Sequence, residues 1–227
     1  MAARTTAPND RRLALIAGSL YLVTFITSMP ALALKTPFLD RGDDPGLATF
    51  GVILEVLLAL ACIGTAIALY PVTRRTSEPL ALGFVASRVL EATIIIIGAI
   101  GVMVLVTLRD GGRAGIDTDL SVAFTAVHDW AFLLGPAVMA AVNALLLGSV
   151  LYRGNLVPRA IPALGLIGGP LLLASSVGVL FGAWTQVSPV GALAAVPIAL
   201  WEFSVGVWLI VRGFRQEAVA GIGPIAV

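Results

Sequence analysis

The chain alternates long apolar stretches with short polar segments. Four stretches stand apart clearly: Leu13–Leu34, Leu47–Tyr70, Leu80–Leu108 and Val122–Tyr152. Ala160 to Trp201 then holds 42 residues without a charged side chain, too long for one crossing. Gly182 to Pro189 (GAWTQVSP) interrupts it with Gly, Pro and polar residues, which leaves spans of Ile161–Phe181 and Val190–Val211. A helix rises about 1.5 Å per residue, so ~20 apolar residues cross the ~30 Å hydrocarbon layer of a bilayer. Only helices satisfy their own backbone in lipid without closing into a barrel. The pattern therefore predicts an all-α fold, an integral membrane bundle of six transmembrane helices. A short polar tail (1–12) precedes the bundle (13–211), and a second tail (212–227) follows it.

Composition agrees. Of 227 residues, 59% are hydrophobic and 12% charged, roughly half the charge share of a soluble domain. The lipid bilayer is the expected partner, and a net charge of +1 gives no reason to expect nucleic acid. The single Cys62 excludes an internal disulfide, and the single His128 excludes multi-histidine metal motifs. No cofactor is expected.

Basic residues set the expected orientation. The N-terminus (Arg4, Arg11, Arg12), second loop (Arg74, Arg75), fourth loop (Arg153, Arg159) and C-terminus (Arg212, Arg215) hold nine Lys and Arg. The first loop (Lys35, Arg41), the third (Arg109, Arg113) and the fifth hold four. Asp40, Asp43, Asp44, Asp110, Asp117 and Asp119 all fall in the poorer set. Both termini are expected in the cytoplasm, as an even number of spans requires, with the protein in the plasma membrane. The first apolar run is longer than the ~7–15 residues of a signal-peptide core, and is read as a retained span although Ala31-Leu32-Ala33 imitates a cleavage site.

Residues at four-residue spacing (Gly165/Gly169, Gly178/Gly182, and Gly98/Val102 flanked by Gly101) predict close helix contacts. They are densest in the fifth span, which is expected to be the central helix. Pro136, Pro170 and Pro197 are expected to kink their helices.

Charge inside the spans is where chemistry is sought. Glu55, Arg88, Glu91, His128 and Glu202 lie within apolar stretches, and Asp129 lies near the outer edge. Each costs about 2.5–3.5 kcal/mol at the centre of a lone membrane helix, so such groups face the bundle interior and find partners. Glu91 and Glu202 fall near mid-span, Glu55 and His128 in the outer half. Arg88 and Glu91, three residues apart, share a helix face and can pair locally. One arginine does not neutralise three glutamates, so a bound cation or small ammonium-type ligand, protonated carboxylates or water is expected beside them. Tyr21, Thr24 and Ser28 form a polar stripe on span 1, Asn143 adds a polar position to span 4, and Cys62 shares the face of Glu55. Tyr21, Thr24 and Asn143 are secondary pocket candidates. Leu90-Glu91-Ala92-Thr93-Ile94 and Trp201-Glu202-Phe203-Ser204-Val205 form a weak echo between the two halves.

Several motifs are similar to one bacterial family. His128-Asp129-Trp130-Ala131-Phe132-Leu133-Leu134-Gly135-Pro136, Val157-Pro158-Arg159, Leu166-Ile167-Gly168-Gly169-Pro170, Trp201-Glu202-Phe203 and Gly213-Phe214 resemble domain of unknown function 4386. Ala17-Gly18-Ser19-Leu20-Tyr21-Leu22-Val23-Thr24-Phe25 fits as well. The resemblance implies a bacterial multi-pass membrane protein and transfers no reaction or catalytic residue. Three readings stay open: a small-ligand or cation binder or transporter with one acidic pocket; a structural or accessory protein whose charges fix helix packing; and an intramembrane metal-assisted enzyme. Known catalytic motifs are missing, which counts against the last.

Overall fold

A computed structural model describes residues 8–110 and 118–221. Arg4, Arg113 and Asp117, used above for orientation, lie outside the described residues. The chain forms α1 (Pro8–Arg41), α2 (Pro45–Thr73), α3 (Glu78–Asp110), α4 (Thr118–Phe132), a π-helical segment (Leu133–Met139), α5 (Ala140–Arg153), α6 (Ala160–Leu180), α7 (Pro189–Val211) and a short α8 (Gln216–Gly221). Six of these helical stretches are long and apolar enough to cross a membrane, with α4, the π segment and α5 forming one of them. The fold class is the expected one: all described secondary structure is helical.

The spans close into a ring. Each packs against its neighbours in sequence, and α7 packs back against α1. The inward face of α1 reads Ala14, Ala17, Tyr21, Thr24, Ala31, Lys35 and Phe38, and that of α3 reads Phe84, Arg88, Glu91, Ile95 and Val102. These positions alternate steps of three and four or sum to whole heptads, the repeat that keeps one stripe of a helix against its neighbours. The outward faces stay apolar, with Ile26, Met29, Leu60, Ile67 and Leu193 all more than half exposed. That belt suits lipid and would be costly in water.

The fifth span, α6, is a member of this ring and not its central helix. Its glycines face both ring neighbours: Gly169 lies against Ala141 and Leu145 of α5, while Gly165 and Gly168 lie against Trp201, Pro197 and Ile198 of α7. Dense small residues there serve two flanks. Of the three prolines, Pro136 sits in the π-helical segment, whereas α6 and α7 are helical across Pro170 and Pro197.

Gly18 and Gly206 meet where α1 packs on α7. A Cβ on Gly18 would stand 2.6 Å from the Gly206 carbonyl oxygen and 3.0 Å from the Ile210 nitrogen, both backbone atoms. Gly18→Ala is therefore expected to cost about 1–3 kcal/mol despite alanine's better helix propensity, because the helices must separate. Gly83→Ala is the control: its Cβ would meet only Leu146 side-chain atoms at 3.4 Å and beyond. Thermal unfolding in detergent should show a clear loss for the first and almost none for the second; equal midpoints would refute the close-crossing account.

The face that carries the ring's first and last helix ends is tied by polar contacts. Arg11 donates to the carbonyls of Leu209 (2.9 Å) and Ile210 (2.7 Å), which lie at the end of α7. A helix C-terminus leaves carbonyls without partners and carries partial negative charge, so a guanidinium suits it. Arg75 donates to Asp10 (3.1 Å), joining the end of α2 to the start of α1.

Candidate functional site

The intramembrane charges fall into two groups at different depths. Glu55 and Cys62 sit on one stripe of α2, seven residues apart, which is roughly 10 Å along the axis. Glu55 belongs to one group and Cys62 to the other.

The first group centres on Lys35. Sequence places this residue in the first loop, because the apolar run ends at Leu34. The structure places it inside α1, fully buried on the stripe of Ala31 and Phe38. Its ammonium donates to the Glu55 carboxylate and lies 2.9 Å from Nε2 of His128. His128 Nδ1 lies 3.2 Å from Oδ1 of Asp129, whose side chain is 69% exposed. An ammonium has only protons to give, so Nε2 accepts from Lys35; the network thus assigns the proton of a neutral ring to Nδ1, donated to Asp129. A continuous hydrogen-bonded chain, Asp129–His128–Lys35–Glu55, leads from an exposed carboxylate to a buried one. The ammonium on Nε2 opposes a metal at that nitrogen.

The inner end of this chain meets a small cavity. Glu55, Ile95, Gly98, His128, Ala131, Phe132 and Pro136 line it, and about 10 Å³ of it is open to the centre of a water molecule. That is close to the room one water needs. Glu55 Oε2 is buried and makes no hydrogen bond. The π-helical segment shapes the opposite wall. Pro136 has no N–H to return to the Phe132 carbonyl four residues earlier, and that carbonyl accepts from Gln186 Nε2 at 3.0 Å. The polar α6–α7 connection thereby closes over the wall. The Phe132 ring stacks on His128 with centroids 6.3 Å apart.

The second group centres on Arg88. Nη1 donates to Glu91 Oε2 at 2.8 Å, and Nη2 to Glu202 Oε1 at 3.1 Å. Nη1 also approaches Cys62 Sγ at 3.5 Å. Asn143 Nδ2 donates to Glu91 Oε2 at 2.7 Å, and its own oxygen accepts from Ser87. The guanidinium lies 5.1 Å from the ring centre of Tyr21 and 5.7 Å from that of Phe84. Tyr21 in turn meets Trp201 edge-on at 6.4 Å. Side chains from α1, α2, α3 and α7 thus meet at one arginine, and α5 joins them through Asn143 on Glu91. Three buried donors in this neighbourhood, Arg88 Nε, Tyr21 Oη and Trp201 Nε1, make no hydrogen bond. Arg88 and Glu91 side chains are 2% and 5% exposed, Glu202 18%, so Glu202 is the outward edge of the group.

Sequence reasoning named Glu55, Arg88, Glu91, His128 and Glu202 as one constellation. The structure brings Arg88, Glu91 and Glu202 together, with Tyr21 and Asn143, and keeps Glu55 and His128 apart from them. Thr24 turns to its own helix, donating to the Tyr21 carbonyl at 2.8 Å. Lys35 is the residue that sequence reasoning missed. It also changes the charge count: Glu55 has its own cation, and one surplus carboxylate remains at Arg88.

No curated protein and no solved structure matches the chain. Residues 16–213 match a family model described as "Domain of unknown function (DUF4386)", from within α1 to just past α7. A match that runs through all six membrane-spanning stretches means that the chain belongs to this family.

Proposed function

We propose that the protein binds, and by binding moves across the membrane, a small cationic molecule that also carries a hydrogen-bond acceptor. The binding place is the Arg88 group. One observation carries the reading: side chains from five helices converge on a buried arginine and its two glutamates, one carboxylate more than the arginine neutralises. A surplus buried carboxylate favours a positive partner, and the unused donors of Arg88, Tyr21 and Trp201 favour an acceptor on the same molecule. The aromatic faces of Tyr21 and Trp201 suit an ammonium group. Glu202, the most exposed member, is the side of entry. The basic-residue bias supports a bacterial plasma membrane setting with both termini cytoplasmic.

The reading is tested by thermal unfolding in nanodiscs with choline, tetramethylammonium and sodium added in turn. Choline should raise the midpoint most, since it offers both charge and oxygen, and Glu202→Gln should abolish the rise. No response to any of the three, or a response that survives both Glu91→Gln and Glu202→Gln, overturns it. A second reading, that the charges only fix packing, is favoured by the direct contacts of Arg88 to both glutamates and of Lys35 to Glu55. That reading predicts no response to any of the three.

A further inference from the structure

We infer that Asp129, His128, Lys35 and Glu55 form a proton path between one face of the membrane and the cavity beside the π-helical segment. Buried ion pairs alone need neither an exposed terminus nor an unused acceptor, and this chain has both. Asp129 is exposed at one end, and at the other Glu55, whose Oε2 is buried without a hydrogen bond, lines a cavity with room for about one water. The groups come from α1 (Lys35), α2 (Glu55) and α4 (His128, Asp129); α3 adds only Ile95 and Gly98 to the cavity wall. The titratable groups that line the cavity, Glu55 and His128, are both members of the path.

The hydrogen bonds give the path a resting direction. Lys35 passes one proton from Nζ to His128 Nε2, and the ring releases its Nδ1 proton to Asp129 Oδ1. Asp129 then loses that proton to bulk water. A hydronium ion reaching the cavity gives its proton to Glu55 and is left as water; the carboxyl group then turns, that same proton passes to the neutral Lys35 amine, and Glu55 is again a carboxylate. His128 is left with its proton on Nε2 and resets by turning its ring. One proton enters at the cavity and one leaves at Asp129; nothing is oxidised or reduced. Chains of carboxylates and imidazole at such depths are what proton relays are made of. The path is independent of ligand binding at Arg88.

The composition offers a direct test, because the chain has one His and one Lys. Uniform ¹⁵N labelling of those two residue types gives signals for His128 and Lys35 alone. In membranes, the wild-type His128 signal should show Nδ1 protonated and Nε2 bare, and Lys35 N–H should exchange rapidly on transfer to D₂O. His128→Gln keeps an acceptor for Lys35 but cannot relay a proton; it should slow Lys35 exchange by about tenfold or more. Asp129→Asn, a change at an exposed position, should slow it in the same direction without moving the unfolding midpoint. Glu202→Gln should leave the exchange unchanged, which separates this path from the ligand reading. Lys35 exchange that is slow in the wild type, or as fast in His128→Gln and Asp129→Asn as in the wild type, overturns the path. A wild-type ring protonated on Nε2 overturns its resting direction.

Discussion

Arg88→Ala is expected to be among the most damaging single changes in the protein. It leaves Glu91 and Glu202 buried without their cation, while Asn143 still reaches only Glu91. Removing one member of a buried ion pair typically costs 3–5 kcal/mol, because the charge left behind has neither water nor a partner. By the scaling for a domain of this length, that corresponds to a fall of about 10 °C or more in the unfolding midpoint. Arg88→Lys should fall between: it restores the charge but lacks the fork that serves two carboxylates from one side chain. The triple variant Arg88→Met, Glu91→Gln, Glu202→Gln removes the charges together and should recover most of the loss. An Arg88→Ala variant as stable as the wild type would mean that the two glutamates are solvated or protonated, and that the arginine is not their counter-charge.

Parts of this arrangement are legible in the sequence for plain physical reasons. Apolar length alone defines six crossings, since lipid leaves the backbone no alternative to helix. The Arg88–Glu91 contact follows from three-residue spacing on one helix face. Tyr21 and Asn143 are legible as polar positions in spans that must face inward. The Arg88–Glu202 contact is legible only as one option, because spacing within a helix says nothing about which helices are neighbours. Gly18 and Gly206 are harder still. Small-residue spacing finds pairs along one helix, whereas Gly18 and Gly206 join the first span to the last. The expectation of a central α6 failed for the same reason: its glycines are numerous because it packs tightly on both sides within the ring.

Lys35 shows a different limit. Ending a span at its first charged residue assumes that the helix ends where the apolar run does. The helix instead continues to Arg41, and Phe38 resumes the buried stripe one turn beyond Lys35. The available signal was the heptad rather than the hydropathy: Ala31, Lys35 and Phe38 keep the steps of four and three that run down α1. A lone lysine among thirteen arginines, on that stripe, is a candidate partner for a buried acid on the next helix.

That partnership gives a prediction in which two single changes and their combination must disagree. Lys35→Met keeps the length of the side chain but strands Glu55, one of whose oxygens already has no hydrogen bond. It is expected to cost about 3–5 kcal/mol. Glu55→Gln strands an ammonium that still has His128 Nε2 as an acceptor, so its cost should be smaller. Joined to Lys35→Met, however, it removes the stranded charge, and the double variant should be more stable than Lys35→Met alone. The expected coupling is at the upper end of the ~0.5–3 kcal/mol range for contacting residues. Unfolding midpoints of the four proteins measure it. Additive losses would mean that Lys35 and Glu55 do not share a charge-neutralising contact, and the hydrogen-bonded chain from Asp129 would then stop at the lysine.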